Sequence, residues 1–163
     1  MTPRVFWLRI GLMTLVAATL ALALSPPVPR AQVVPALAVA IGAATGSTLF
    51  AAASRRAPRL PIVRPRAAVN LAKQAVLGLC AANEEVIWRR VILGELLPVG
   101  TFVALVASSA VFALAHRRSR VLHVATGGAF GSVYVATGSL GACILAHWLY
   151  NAFVGTLAGR APP

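Results

Sequence analysis

The chain has 163 residues, 59% of them hydrophobic and only 11% charged, which is too apolar for a soluble domain and long enough for one compact bundle. A net charge of +12 would suit a nucleic-acid partner, but the arginines fall between long apolar stretches, so they read as topology signals and nucleic acid is excluded. The two cysteines, Cys80 and Cys143, lie inside apolar segments without CxxC or Cys/His finger spacing, which argues against a disulfide framework or a zinc finger.

A helix that crosses lipid needs about 20 mostly apolar residues. Phe6–Leu24 and Val33–Ala53 each come close, divided by the breaker run SPPVPR. The first also resembles a secretory signal, with Arg4 ahead of an apolar core and small residues at ALALS. The prolines that follow make a poor cleavage site, so it is read as an uncleaved span. The Arg/Pro-rich stretch 54–66 comes next, a loop that the positive-inside tendency assigns to the cytoplasm. Ala67–Leu97 is compatible with a helix, is interrupted by Lys73, Glu84, Glu85, Arg89 and Arg90, and stops at Pro98 and Gly100. Thr101–His116 follows, then RRSR at 117–120, Val121–Thr137, a Gly138–Ser139 turn and a last span from Leu140 to about Ala158.

The expected fold is all-α, a polytopic transmembrane bundle of about six spans with both termini cytoplasmic. Segments this long lack the alternation of strands, and a lone open sheet cannot cross lipid. The expected organisation is two N-terminal transmembrane helices with their cytoplasmic loop over 1–66, a catalytic helix bundle over 67–158 and a short tail over 159–163.

The acidic residues are Glu84, Glu85 and Glu95, and two of them are adjacent inside an apolar segment. A charge at mid-membrane costs about 3 kcal/mol on insertion scales, so such residues are functional candidates by default. Helical spacing divides the pair. Glu85 and Arg89 share a helix face as an ion pair, whereas Glu84 points about 100° away and is free to serve as a general base. His116 closes the run FALAH. His147 and Asn151, at i and i+4 in HWLYN, can offer two hydrogen bonds to one ligand atom, as an oxyanion hole requires.

About 14 residues, roughly 21 Å of helix, separate Glu84 from the turn at Pro98, and about 16, roughly 24 Å, bring the chain back to His116. These two therefore stand at similar depth. His147, about 8 residues or roughly 12 Å past Ser139, falls roughly 10 Å short of His116 unless helices tilt. His123 reads as an interfacial structural residue, RRSR as topological, and the glycines of GGAFG at 127–131 as points of close helix contact.

Taken together, E-E-x-x-x-R at 84–89, F-x-x-x-H at 112–116 and H-x-x-x-N at 147–151 resemble the CPBP family of intramembrane proteases. That family includes the type II CAAX prenyl endopeptidases and the bacterial Abi, or bacteriocin-immunity-like, proteins. The resembling region is about 67–158. The resemblance implies an intramembrane endopeptidase of the bacterial plasma membrane that hydrolyses a peptide bond in a membrane-embedded or lipid-anchored substrate, CAAX-like or prenylated tails among the candidates. It implies that Glu84 activates the attacking water and that Glu85 with Arg89 completes the first motif as an ordering ion pair. His116 would partner the water or help to hold a metal, and His147 with Asn151 would stabilise the tetrahedral oxyanion. Arg90 stands where family members often carry glycine.

Two cofactor readings stay open. One is a metal-free mechanism, favoured because a metal would occupy the groups that activate water; the other is a Zn2+ held by Glu84, His116 and His147. Two non-protease readings compete. One is a catalytically silent scaffold or immunity factor of the same fold. The other is a small proton-coupled transporter using Glu84 and the histidines as a relay, which the lack of internal repeats disfavours.

Overall fold

The computed structural model describes residues 2–29, 33–54, 67–116 and 119–157. The expectations for the Arg/Pro-rich loop, for Arg117 and Arg118 and for the tail fall outside these residues. Within them there is no strand, and six helices follow one another: α1 (Pro3–Ala23), α2 (Pro35–Ser54), α3 (Ala67–Glu85), α4 (Thr101–Ala115), α5 (Arg120–Thr137) and α6 (Leu140–Leu157). Between α3 and α4 the chain continues as a π-helical segment, Val86–Leu93, and then two short turns to Val99.

α1 and α2 are long and apolar enough to cross a membrane, over Pro3–Ala23 and Pro35–Ala53, while Thr101–Ala115 and Leu140–Gly155 are apolar but shorter. Large apolar side chains such as Trp7, Leu8 and Leu12 on α1 and Phe102 and Val106 on α4 face outward, an exterior suited to lipid rather than water. The helix boundaries follow local chemistry. Proline opens both α1 and α2, where its missing N–H costs nothing. Gly100 (φ 124°) and Gly138 (φ 65°) end the segments before α4 and α6 in backbone conformations that side chains disfavour. Ser139 Oγ then accepts from the Ala142 N–H at 3.2 Å and caps α6.

α2 lies along α6. A methyl group at Gly42 or Gly46 would run into the backbone of Ala142 or Ala146, so these two helices meet backbone to backbone. α4 and α5 form an antiparallel pair in which Gly127 lies against Phe112 and Ser109, and Gly131 against Leu105 and Leu93. α3 packs against α6, tied by Trp148 Nε1 donating to the Gln74 carbonyl at 3.1 Å and by Lys73 Nζ donating to the Gly155 carbonyl at 2.7 Å. The centre of the bundle is filled by Ala38, Leu93, Val133, Tyr134, Ala142 and Cys143. Two buried hydroxyls are satisfied within their own helices: Ser109 donates to the Leu105 carbonyl at 2.6 Å and Thr137 to the Val133 carbonyl at 2.6 Å.

The stretch expected as one helix over 67–97 changes its winding at Val86, directly after the glutamate pair. π-helical turns of this kind concentrate at functional sites because they redirect side chains. Two contacts hold this part of the chain to the N-terminal helices. Asn83 Nδ2 donates to Thr14 Oγ1 of α1 at 2.7 Å, and Arg90 donates from Nη1 to the Pro26 carbonyl. Pro26 also covers Gly94. Arg90, at a position where glycine is common in the resembled family, is thus an anchor for the connection after α1.

Candidate active site

Glu84 and Glu85 close α3, and their adjacent positions send them different ways. Glu85 is fully buried; Glu84 keeps 22% of its side chain exposed. Glu85 Oε2 accepts from Arg89 Nε at 3.0 Å, the i,i+4 ion pair expected from spacing. Its second oxygen has another partner, since Oε1 stands 2.8 Å from His147 Nδ1. A carboxylate beside an arginine only accepts, so this bond assigns a proton to Nδ1 and turns Nε2 the other way, towards Glu84.

His147 Nε2 lies 3.9 Å from Glu84 Oε2, and His116 Nε2 lies 3.9 Å from that same oxygen. The structure therefore brings His147 to the glutamate that depth arithmetic left it well short of. Straight, regular α-helices of equal tilt were the premise of that arithmetic, and the π-helical winding over Val86–Leu93 departs from it. His116 Nδ1 donates to the Phe112 carbonyl at 2.7 Å, which leaves its Nε2 as the acceptor facing Glu84.

Aromatic neighbours fix both imidazoles. His147 stacks on Phe130, with centroids 4.8 Å apart and planes 20° apart. His116 tilts against Phe112 at 4.5 Å and stacks on His123 at 4.1 Å. Arg89 is also fully buried, its guanidinium carbon 5.3 Å over the Phe112 ring. Its Nη1 and Nη2 find no hydrogen-bond acceptor among the described residues, so the Glu85 carboxylate and the Phe112 face balance its charge.

Glu84, His116, His147 and Asn151 line one cavity of about 120 Å³, together with His123 and Tyr150. The Asn151 side chain makes no hydrogen bond among the described residues and lines this cavity, so its amide is available to a ligand. A larger cleft of about 370 Å³ at the opposite end, between Pro27, Leu97, Pro98 and Thr101, is lined by no ionisable side chain among the described residues. The six residues expected from sequence thus form one connected centre: Arg89, Glu85 and His147 in a buried chain, and Glu84, His116, His147 and Asn151 around the cavity.

Tetrahedral zinc holds its ligands at about 2.0–2.2 Å, which sets them about 3.3–3.6 Å from one another. Both histidines stand farther than that from Glu84, at 3.9 Å, and among the described residues no group of three His, Cys, Asp or Glu side chains is arranged to hold a metal ion. As placed, Glu84 stands farther from His116 and from His147 than tetrahedral zinc sets its ligands from one another.

His123 was expected to be structural, yet it lines the cavity and stacks on His116. The signal available in the sequence is its position: His123 follows His116 by only seven residues, on the other side of RRSR. Asn83, buried beside Glu84 and bound to α1, gave no such signal.

Fold and site define a helical, apolar protein with a partly buried glutamate–histidine centre. Residues 68–153 match the family model described as type II CAAX prenyl endopeptidase Rce1-like, which is more than half of the chain. The chain belongs to this family, whose members are membrane-associated proteases. No curated protein and no solved structure gives a significant match.

Proposed function

We propose that this protein is an intramembrane endopeptidase that hydrolyses a peptide bond of a membrane-embedded or lipid-anchored protein, with CAAX-like tails as the first substrate class to test. The observation that carries the reading is the convergence of two histidine Nε2 atoms on one oxygen of Glu84, each at 3.9 Å. That is too long for a direct hydrogen bond and suits a water molecule bonded to the carboxylate and an imidazole.

In this reading Glu84 takes a proton from the water as its oxygen attacks the scissile carbonyl carbon. His116, its Nδ1–H occupied by the Phe112 carbonyl, accepts from the same water through Nε2 and orients it. Charge developing on the carbonyl oxygen is met by the Asn151 amide and by His147. His147 donates from Nε2 only when Nδ1 is also protonated, and the carboxylate of Glu85 at 2.8 Å is positioned to stabilise that imidazolium. Collapse of the intermediate breaks the C–N bond, and the departing amine takes the proton that Glu84 removed from water. In this reading every proton moves between protein groups, water and substrate, and no step calls on a metal.

We assign the catalytic unit to residues 67–158, all six helices to the membrane and both termini to the cytoplasmic side of a bacterial plasma membrane. Helices shorter than the bilayer are accommodated by local thinning. The test compares new N-termini in membranes carrying the wild type or Glu84→Ala, followed by cleavage with purified protein. Glu84→Ala and His116→Ala insert normally and cleave nothing; wild-type cleavage by either would sink the assignment. A cellular phenotype preserved in Glu84→Gln would instead favour the silent scaffold, and Glu84-dependent proton flux in liposomes would favour the transporter.

A further inference from the structure

The cavity holds a third imidazole that the proposed hydrolysis leaves unused. His123, in the first turn of α5, lies on His116 with ring centroids 4.1 Å apart and planes 18° apart. The two rings are anchored alike. His116 Nδ1 is 2.7 Å from the Phe112 carbonyl and His123 Nδ1 is 3.0 Å from the Ser119 carbonyl, in each case four residues back. Phe112 completes a three-ring cluster, 4.5 Å from His116 and 5.7 Å from His123.

His116 needs such support. It is the residue after the last turn of α4, with extended backbone (φ −104°, ψ 122°), and 30% of its side chain is exposed. One hydrogen bond to a carbonyl leaves the ring soft about its terminal torsion, and a modest rotation would carry Nε2 away from Glu84. The turn that delivers His123 is itself unusual. Ser119, at φ 54°, is the only non-glycine residue with positive φ among the described residues, a conformation that side chains other than Asn and Asp seldom adopt. Its carbonyl accepts both the backbone N–H and the Nδ1 of His123. A strained turn that persists beside a cavity fits a geometric requirement there.

We propose that His123 is a positioning residue: by stacking on His116 it holds that imidazole with Nε2 directed at Glu84. The proposal rests on the hydrolytic reading for its consequence in rate, but not for the ring contact itself. Loss of a stacked aromatic pair is worth about a factor of ten. His123→Ala is expected to lower kcat about tenfold with KM changed less than about twofold, and His123→Phe, which keeps a flat ring and removes both nitrogens, to restore most of the rate.

A second measurement does not need cleavage. The rate at which diethyl pyrocarbonate modifies His116, followed by peptide mass spectrometry in detergent-solubilised full-length protein, should rise several-fold in His123→Ala and return towards the wild-type value in His123→Phe. Should the alanine variant fail to insert, His123→Gln, polar and unable to stack, takes its place. Unchanged kcat and unchanged His116 modification in the non-stacking variant overturn the proposal. So does a phenylalanine variant as impaired as alanine, which would assign the effect to a ring nitrogen. If the wild type cleaves nothing, the hydrolytic reading falls while the modification rates still decide the positioning role.

Discussion

The first two helices lie outside the matched region 68–153, yet α2 bears directly on the helix that carries His147 and Asn151, and Gly46→Ala tests this. A methyl group at Gly46 would stand 3.0 Å from the carbonyl carbon of Ala146 and 3.1 Å from its Cα, and well inside contact with the carbonyl oxygen, whereas ordinary contact begins at 3.4 Å. Both partners are backbone, so no side chain can yield and the helices must part by on the order of 1 Å to relieve the overlap. Overpacking of this kind costs about 1–3 kcal/mol, offset by up to about 1 kcal/mol from replacing glycine within a helix. The net destabilisation is about 0–3 kcal/mol. The effect on catalysis is larger, because Ala146 immediately precedes His147 and a displacement of about 1 Å at a reacting group can cost about 100-fold. Cleavage rate and thermal unfolding in detergent are measured side by side for Gly46→Ala and for Gly11→Ala, where an added methyl meets no atom within 4 Å. The expected pattern is a rate loss of about 10- to 100-fold with modest destabilisation for Gly46, and neither for Gly11. A Gly46 variant cleaving at the wild-type rate would refute the claim that α2 sets the position of α6.

Asn151→Ala removes one donor from the oxyanion and is expected to lower kcat by about 100- to 1,000-fold with little change in KM, read from initial rates on a reporter substrate. Glu85→Ala leaves the buried Arg89 uncompensated and should destabilise the protein by about 3–5 kcal/mol, whereas Glu85→Gln with Arg89→Met removes both charges and recovers most of the loss; denaturation in mixed micelles distinguishes them. Prolonged chelation should leave cleavage unchanged and elemental analysis should find far less than one zinc per chain. Activity lost to chelator and restored by zinc alone would overturn the metal-free mechanism.

Much of the site was legible because its parts are local. Glu85 and Arg89 are four residues apart on one helical face, and the structure has them bonded at 3.0 Å. Glu84 and His116 stand on either side of one turn, so counting residues sufficed to bring them level. His147 was left short by counting because counting assumes straight, regular helices, and the chain after α3 changes its winding at Val86. The role of Glu85 as partner of His147 depends on how α3 packs against α6 and was invisible for the same reason. The glycine pair of α2 is present in the sequence as GAATG, but a small-residue spacing does not say which helix it receives.

The sequence by itself determined that this is an apolar, helical chain, where most of its helices begin and end, and which few ionisable residues lie within them. Those properties follow from composition, spacing and turn chemistry, which act over a few residues. Only the tertiary structure decided that two histidines from different helices approach one glutamate oxygen, that a third histidine stacks on one of them, and that α2 rests on the helix carrying the other. Side chains distant in the chain meet according to helix crossing and close backbone contact, and these are set by the packing of the whole bundle.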